Sequence, residues 1–200
     1  MTKKNYKEEA EAIVSFLQYS EGLKTENRSL NLSTGIPENV AAHSWRMGLM
    51  VMLVAPHLSK KANMEKMLKI ALIHDLVEVE AGDVSVLDHF HNECIASQKI
   101  TDEEAAMANI RSMLIGNNEM VGMEIEELWR DYGEQGSYEA RVVKAIDKLE
   151  ARLQLVLDVN RTFGANELSI MNTLQEKVAL LCNVDPILIE LEKITRINIS

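Results

Sequence analysis

Apolar residues recur three and four positions apart in one segment after another of this 200-residue chain, the spacing that lays a buried stripe along one side of an α-helix. The first such segment runs from about Lys7 to Glu21 and carries Ile13, Phe16, Leu17 and Ser20 on one side. A stretch rich in Asn, Ser and Thr, from about Thr25 to Pro37, reads as a loop. A second helix is expected over about Glu38–Leu58 and a third over about Asn63–Ala81, with Gly82 placed for a left-handed C-terminal cap. The piece from Asp83 to about Glu93 is irregular. Further helices are expected over about Ile100–Ile115, ended by Gly116-Asn117-Asn118, and over about Met123–Tyr132, ended by Gly133 and Gly136. The last three span about Ser137–Asn160, Asn166–Leu181 and Pro186–Ile197. No segment sustains a period of two with β-branched enrichment, so the expected fold is all-α. No repeat, low-complexity tract or linker-like segment divides residues 1–200, which read as a single domain.

Composition supports helices, with 11 Met against only 3 Phe, 4 Tyr and 2 Trp. The 31 acidic and 21 basic residues give a net charge of -10, which argues against duplex nucleic acid as a partner. A small anionic ligand remains compatible if a metal ion or a placed arginine offsets the acidic field. Cys94 and Cys182 lack metal-type spacing and suit a reducing, cytoplasmic setting. The N-terminal residues lack the apolar core of a signal peptide, and the longest uncharged stretch, Met47–Ser59, is too short to span a bilayer. The expectation is a soluble protein with no membrane partner.

The third helix carries the chemistry. Its stretch Ile70-Ala-Leu-Ile-His-Asp-Leu-Val77 is apolar all round except for His74 and Asp75, with Glu78 one turn on. At 100° per residue, Asp75 lies about 100° and Glu78 about 40° from His74, so the three share one arc. Carboxylates in apolar surroundings need a counter-charge, and no Lys or Arg lies between Lys69 and Gln98. A divalent cation supplies it with one atom, and imidazole with carboxylate is a suitable ligand set. His43 faces the apolar stripe of Val40, Met47, Met50 and Val54, and Asp147 sits between Val143 and Ala151 on a narrow strip of the long helix. Taken singly, His43 reads as a core histidine, the His74-Asp75 pair as a hydrogen-bonded contact, and Asp147 as a solvated residue. Together they read as three helices presenting polar groups to one point.

Three segments carry a resemblance: Glu38-Asn-Val-Ala-Ala-His43-Ser44, His74-Asp75-Leu-Val-Glu78-Val-Glu-Ala-Gly82-Asp83, and Ala145-Ile-Asp147-Lys-Leu-Glu150. They resemble the H…HD…D signature of HD-domain phosphohydrolases, and more narrowly the YfbR-type 5'-deoxynucleotidases and related eukaryotic HD-domain proteins. Glu127-Leu-Trp-Arg-Asp-Tyr132 and Ser137-Tyr-Glu-Ala140 resemble the segment that precedes the last ligand helix in that family. The resemblance covers about residues 10–160. It implies an HD-type helical bundle with a metal-binding core over about 38–160 and closing helices over about 166–198. It further implies His43, His74, Asp75 and Asp147 as ligands of one divalent metal ion, with Mn, Co, Fe, Ni and Zn equally suited. In the family Glu78 corresponds to the acid/base group, and Asp83 to a residue that holds the nucleoside or the catalytic hydrogen-bond network. Leu23-Lys-Thr-Glu-Asn-Arg28 resembles the stretch that supplies a phosphate-binding arginine. Ser29 and Leu30 follow where many relatives carry an aromatic residue, so the sugar contact does not carry over. His57, His89 and His91 read as solvent-facing, which leaves one metal, and Arg46 is expected to point away from the ligand arc. The implied activity is hydrolysis of (deoxy)nucleoside 5'-monophosphates by a homodimeric enzyme. The alternatives are a ppGpp-like pyrophosphohydrolase or phosphodiesterase, or a non-catalytic metal- or nucleotide-binding protein.

Overall fold

The computed structural model describes residues 6–84, 93–116, 118–158 and 164–197. The helices are α1 (Tyr6–Ser20), α2 (Val40–Val54), α3 (Met64–Ile73), α4 (Glu78–Ala81), α5 (Glu93–Met113), α6 (Glu119–Glu134), α7 (Tyr138–Leu157), α8 (Ala165–Cys182) and α9 (Pro186–Thr195). Side-chain caps set several of the helix starts. Asn39 accepts from the amide of Ala42, Asn63 from that of Lys66, and Ser137 Oγ from that of Ala140. The first of these caps places His43 on the opening turn of α2.

Val40, Met47, Val51, Met67, Ile70, Ala71, Val143, Ile146 and Leu149 are all within 1% of full burial. They lock α2, α3 and α7 into the centre of the fold, and the same apolar cluster continues to Val178 and Leu188 of α8 and α9. Among the described residues no helix is long and apolar enough to cross a membrane.

The structure corrects the sequence reading in several places. The expected loop over Thr25–Pro37 contains a two-stranded antiparallel hairpin, β1 (Asn27–Asn31) and β2 (Pro37–Asn39), with Asn27 opposite Asn39. Its strands are too short and polar for a period of two to show. The third helix does not run to Ala81. It ends at Ile73, and His74–Val77 form turns with three-residue bonds from Leu76 to Ile73 and from Glu78 to Asp75. The carbonyl of Ala71, which a continuing helix would offer to the amide of Asp75, instead faces Nδ1 of His74 at 3.1 Å. Gly82 has the positive φ expected of a cap (73°), but its ψ of 156° is extended rather than left-handed helical. Gly133 lies inside α6, and the helix ends instead at Gln135, whose φ is 54°. The piece over Asp83–Glu93 is described only in part, and Asn160 lies outside the described residues.

A close approach ties the hairpin to the helices. The 3₁₀ turn Glu21–Lys24 leads into β1, and a Cβ on Gly22 would stand 2.8 Å from Cγ1 of Val79 in α4. Glycine therefore lets the two segments touch. At the other end of the hairpin, Asn31 donates to Asp158 and accepts from Gln154, which fixes it to the end of α7.

Asp185 caps α9 and also accepts from Ser59 N at 2.9 Å, from the Ser59 hydroxyl, and from Tyr138 OH at 2.8 Å. Burial works against its charge, but the bonds from Ser59 and Tyr138 hold its carboxyl below the ordinary 3.8. Replacing Asp185 by Ala should cost about 2 kcal/mol in urea unfolding at neutral pH. Because the folded-state pKa is depressed, the stabilisation is present above pH 3.8 and is lost as pH falls through the lower folded value, so wild type and variant should converge in acid.

Candidate metal centre

Five elements bring the residues singled out by sequence to one place. His43 comes from α2, His74 and Asp75 from the turn after α3, Glu78 from the start of α4, Asp147 from the middle of α7, and Arg28 from β1. Arg28, His74, Asp75, Glu78, Asp83 and Asp147 line one side of a cavity of about 720 Å³. His43 lies behind that wall, fully buried. Leu155 of α7 and Met171, Leu174 and Val178 of α8 give the cavity an apolar side.

The two imidazoles are oriented alike. Nδ1 of His43 lies against Oε2 of Glu150, and Nδ1 of His74 lies against the Ala71 carbonyl. A carboxylate or a carbonyl can only accept, so in each neutral ring Nδ1 carries the hydrogen and Nε2 presents a lone pair. Both Nε2 atoms are buried and make no hydrogen bond. They face carboxylate oxygens instead: Asp147 Oδ1 is 3.3 Å from His43, while Asp75 Oδ2 is 3.8 Å from His43 and 3.0 Å from His74. Lone pairs pointed at anions repel unless a cation stands between them. Ligand atoms of His43, His74 and Asp147 all lie within 4.8 Å of one another. Two imidazole nitrogens with neighbouring carboxylate oxygens fit a divalent transition ion.

The charges around this point follow the same logic. Burial disfavours the imidazolium of His43, but Asp147 and Glu150 outweigh it and push the ring up to about 9. Burial also opposes the charges of Asp75 and Asp147. Even so, His74 and His43 hold Asp75 below the usual carboxylate range, and Lys148 and His43 do the same for Asp147. Asp147 also accepts from Tyr132 OH at 2.6 Å and lies 2.9 Å from Lys148 Nζ. Glu78 behaves in the opposite way. Burial first, then the charges of Asp75 and Asp83, push its carboxyl up to about 9, although Lys99 Nζ is 3.5 Å away. The two carboxyls are thus pushed in opposite directions by their surroundings, the kind of separation that acid–base chemistry uses. Asp83, whose amide donates to Glu26 at 2.8 Å, is likewise raised by burial and by Asp75, against the pull of Arg28 and Lys99.

The sequence reading missed the groups behind the ligands. Glu150, one turn after Asp147, is fully buried and accepts from Nε of Arg46 as well as facing His43. Arg46, expected to point away, thus holds the carboxylate that orients His43, and its Nη2 lies 3.4 Å from Glu38. Each follows a site residue by three positions on the same helix, a spacing that puts side chains on one face and was the available signal. Among the remaining histidines, His57 is exposed, and His89 and His91 lie outside the described residues.

Comparison with known proteins gives a consistent picture. The family described as HD domain matches residues 20–182. A 5'-deoxynucleotidase of Schizosaccharomyces pombe is 35% identical over 161 residues, covering 79% of this chain and 78% of that protein. The human 5'-deoxynucleotidase HDDC2 is 35% identical over 118 residues, covering 59% of this chain and 53% of its own length, so the match spans about half of that relative. Among solved structures, a predicted metal-dependent phosphohydrolase of Magnetospirillum magnetotacticum superposes with a TM-score of 0.77 at 25% identity, covering 94% of this chain and 89% of the other.

Removing Arg46 tests the support behind the histidines. Arg46→Met would leave Glu150 and Glu38 buried with their charges uncompensated on that side, and should cost about 3 kcal/mol in urea unfolding. A loss under about 1 kcal/mol, the value of a surface pair, would show that the network does not bear on stability.

Proposed function

The chain belongs to the HD-domain family, and from that premise we propose that it is a metal-dependent phosphohydrolase that removes the 5'-phosphate of nucleoside monophosphates, deoxynucleotides included. The observation that carries this reading is the pair of buried, unbonded imidazole nitrogens facing Asp75 and Asp147, at the wall of a cavity that Arg28 and Glu78 also line. His43, His74, Asp75 and Asp147 would hold one divalent ion of the Mn, Co, Fe, Ni or Zn type. When bound, that ion supplies Lewis acidity toward a phosphoryl oxygen and acidifies a water molecule.

The chain's own groups do the rest. Arg28 keeps its guanidinium in the cavity wall, where it can grip phosphate oxygens and offset their charge in an otherwise acidic molecule. A water molecule attacks phosphorus as the P–O5' bond breaks, and Glu78, whose carboxyl is raised by burial and by its acidic neighbours, gives its proton to the departing 5'-oxygen and regains one from that water. Asp83, beside it on the same wall, holds the sugar hydroxyl, and the apolar side from Leu155 to Val178 excludes water from the far end. The products are a nucleoside and inorganic phosphate.

The proposal extends to a cytoplasmic homodimer. Trp45, Leu49, Met52 and Leu53 form an exposed apolar stripe at helical spacing on α2, and Cys182 is a buried free thiol. Four apolar side chains in one row support this face as the interface, whereas in the described parts of α8 and α9 Leu180 and Ile194 stand out singly. Light scattering at micromolar concentration should read twice the chain mass, and Trp45→Glu should return it to the monomer.

Phosphate release from a panel of nucleoside monophosphates, with each divalent metal in turn, tests the activity. Chelation should abolish turnover, and metal should restore it. His74→Ala and Asp147→Asn should lose bound metal and activity together. Glu78→Gln should retain metal while kcat falls by about 10²–10³-fold. Turnover of guanosine polyphosphates or cyclic nucleotides alone would favour the other hydrolase chemistries, and metal retention without any turnover would favour a binding protein.

A further inference from the structure

We infer that Glu38 is a positioning residue for Arg28, a buried carboxylate that holds the phosphate-gripping guanidinium in the cavity wall without itself reaching the ligand. The inference rests on the role proposed for Arg28. It starts in the hairpin register. Asn27 pairs with Asn39 and Asn31 with Pro37, with a shift of register between the two pairs, and in that irregular stretch the Arg28 side chain of β1 comes within ion-pair distance of Glu38 of β2. Glu38 is 2% exposed and lies outside the cavity wall, whereas Arg28 is part of that wall.

The contacts are loose in a telling way. Arg28 Nε stands 3.4 Å from Glu38 Oε2 and Nη1 stands 3.8 Å from Asp75 Oδ2. Arg28 Nε and Glu38 Oε2 are both buried without a hydrogen bond. Arg152, which lines the same cavity, instead closes on Glu192 at 2.8 Å. Arg28 is held by charge, and its Nε remains a buried donor that no carboxylate has taken. The other oxygen of Glu38 faces Arg46 Nη2 at 3.4 Å, and Arg46 is tied down by Glu150. Glu38 is therefore fixed from behind by one arginine and presents its remaining charge to the other. With Asp75 and Asp147 committed to a metal ion, Glu150 and Glu38 remain as counter-charges to Arg28, and of these two Glu38 is the one at ion-pair distance.

The test is a double-mutant cycle on the metal-loaded protein. It reads calorimetric binding of inorganic phosphate, KM and kcat for a nucleoside monophosphate, and metal content. Glu38→Gln should weaken phosphate binding and raise KM by about 5–10-fold with kcat and metal content nearly unchanged, and Arg28→Ala should weaken binding about tenfold more. In the Arg28→Ala background, Glu38→Gln should add less than about twofold, because the group it acts through is gone. Equal losses in both backgrounds would overturn the inference, as would unchanged phosphate affinity in Arg28→Ala. Should Glu38→Gln melt below the assay temperature, Glu38→Asp, which keeps the charge but shortens its reach, is held to the same non-additivity. Phosphate binding that follows this pattern in a protein that turns over no nucleotide would keep the inference and sink the nucleotidase reading.

Discussion

Two buried imidazole lone pairs aimed at two carboxylates are an arrangement that cannot stand without a positive charge in the middle. The surroundings of His43 and His74 are organised by that demand. Each ring is fixed by its other nitrogen, one on Glu150 and one on the Ala71 carbonyl, so that neither can turn away from the anions it faces. Arg46 neutralises Glu150, while Tyr132 and Lys148 hold Asp147. An acidic chain can keep so many carboxylates buried because cations meet them at close range, pair by pair.

The same demand separates the two carboxyls on the cavity wall. Asp75, next to His74, stays ionised. Glu78, three residues on, is surrounded by burial and by other acids, and it stays protonated. The difference comes from neighbours rather than from residue type. Burial and neighbouring charge thus give two carboxyls of one cavity wall opposite tendencies.

Much of this was legible in the sequence because burial and charge conflict openly there. His74 and Asp75 stand in an apolar helix without a nearby lysine, and His43 and Asp147 each sit on an apolar strip, so a shared counter-ion followed from elementary cost. The break after Ile73 was not legible. A helix-period pattern runs through it, and only the side chain of His74, competing for the Ala71 carbonyl, shows why the turn forms. The hairpin was hidden because its strands are short and polar, and Arg28 was reached only through resemblance. Arg46 and Glu150 were missed for a different reason. Their spacing puts each on the face of a site residue, but which charge meets which across two helices is fixed by tertiary packing. The expected long third helix and the expected loop thus failed at the two segments that deliver His74, Asp75 and Arg28, where local preference yields to the needs of the centre.

The contact between Gly22 and Val79 has a mechanical result. The turn that leads into the hairpin rests directly on the Val79 side chain of the short helix that begins at Glu78. Any larger residue at position 22 would have to push that helix aside, so the gap between the strand of Arg28 and the segment of Glu78 is set by the one residue that has no side chain.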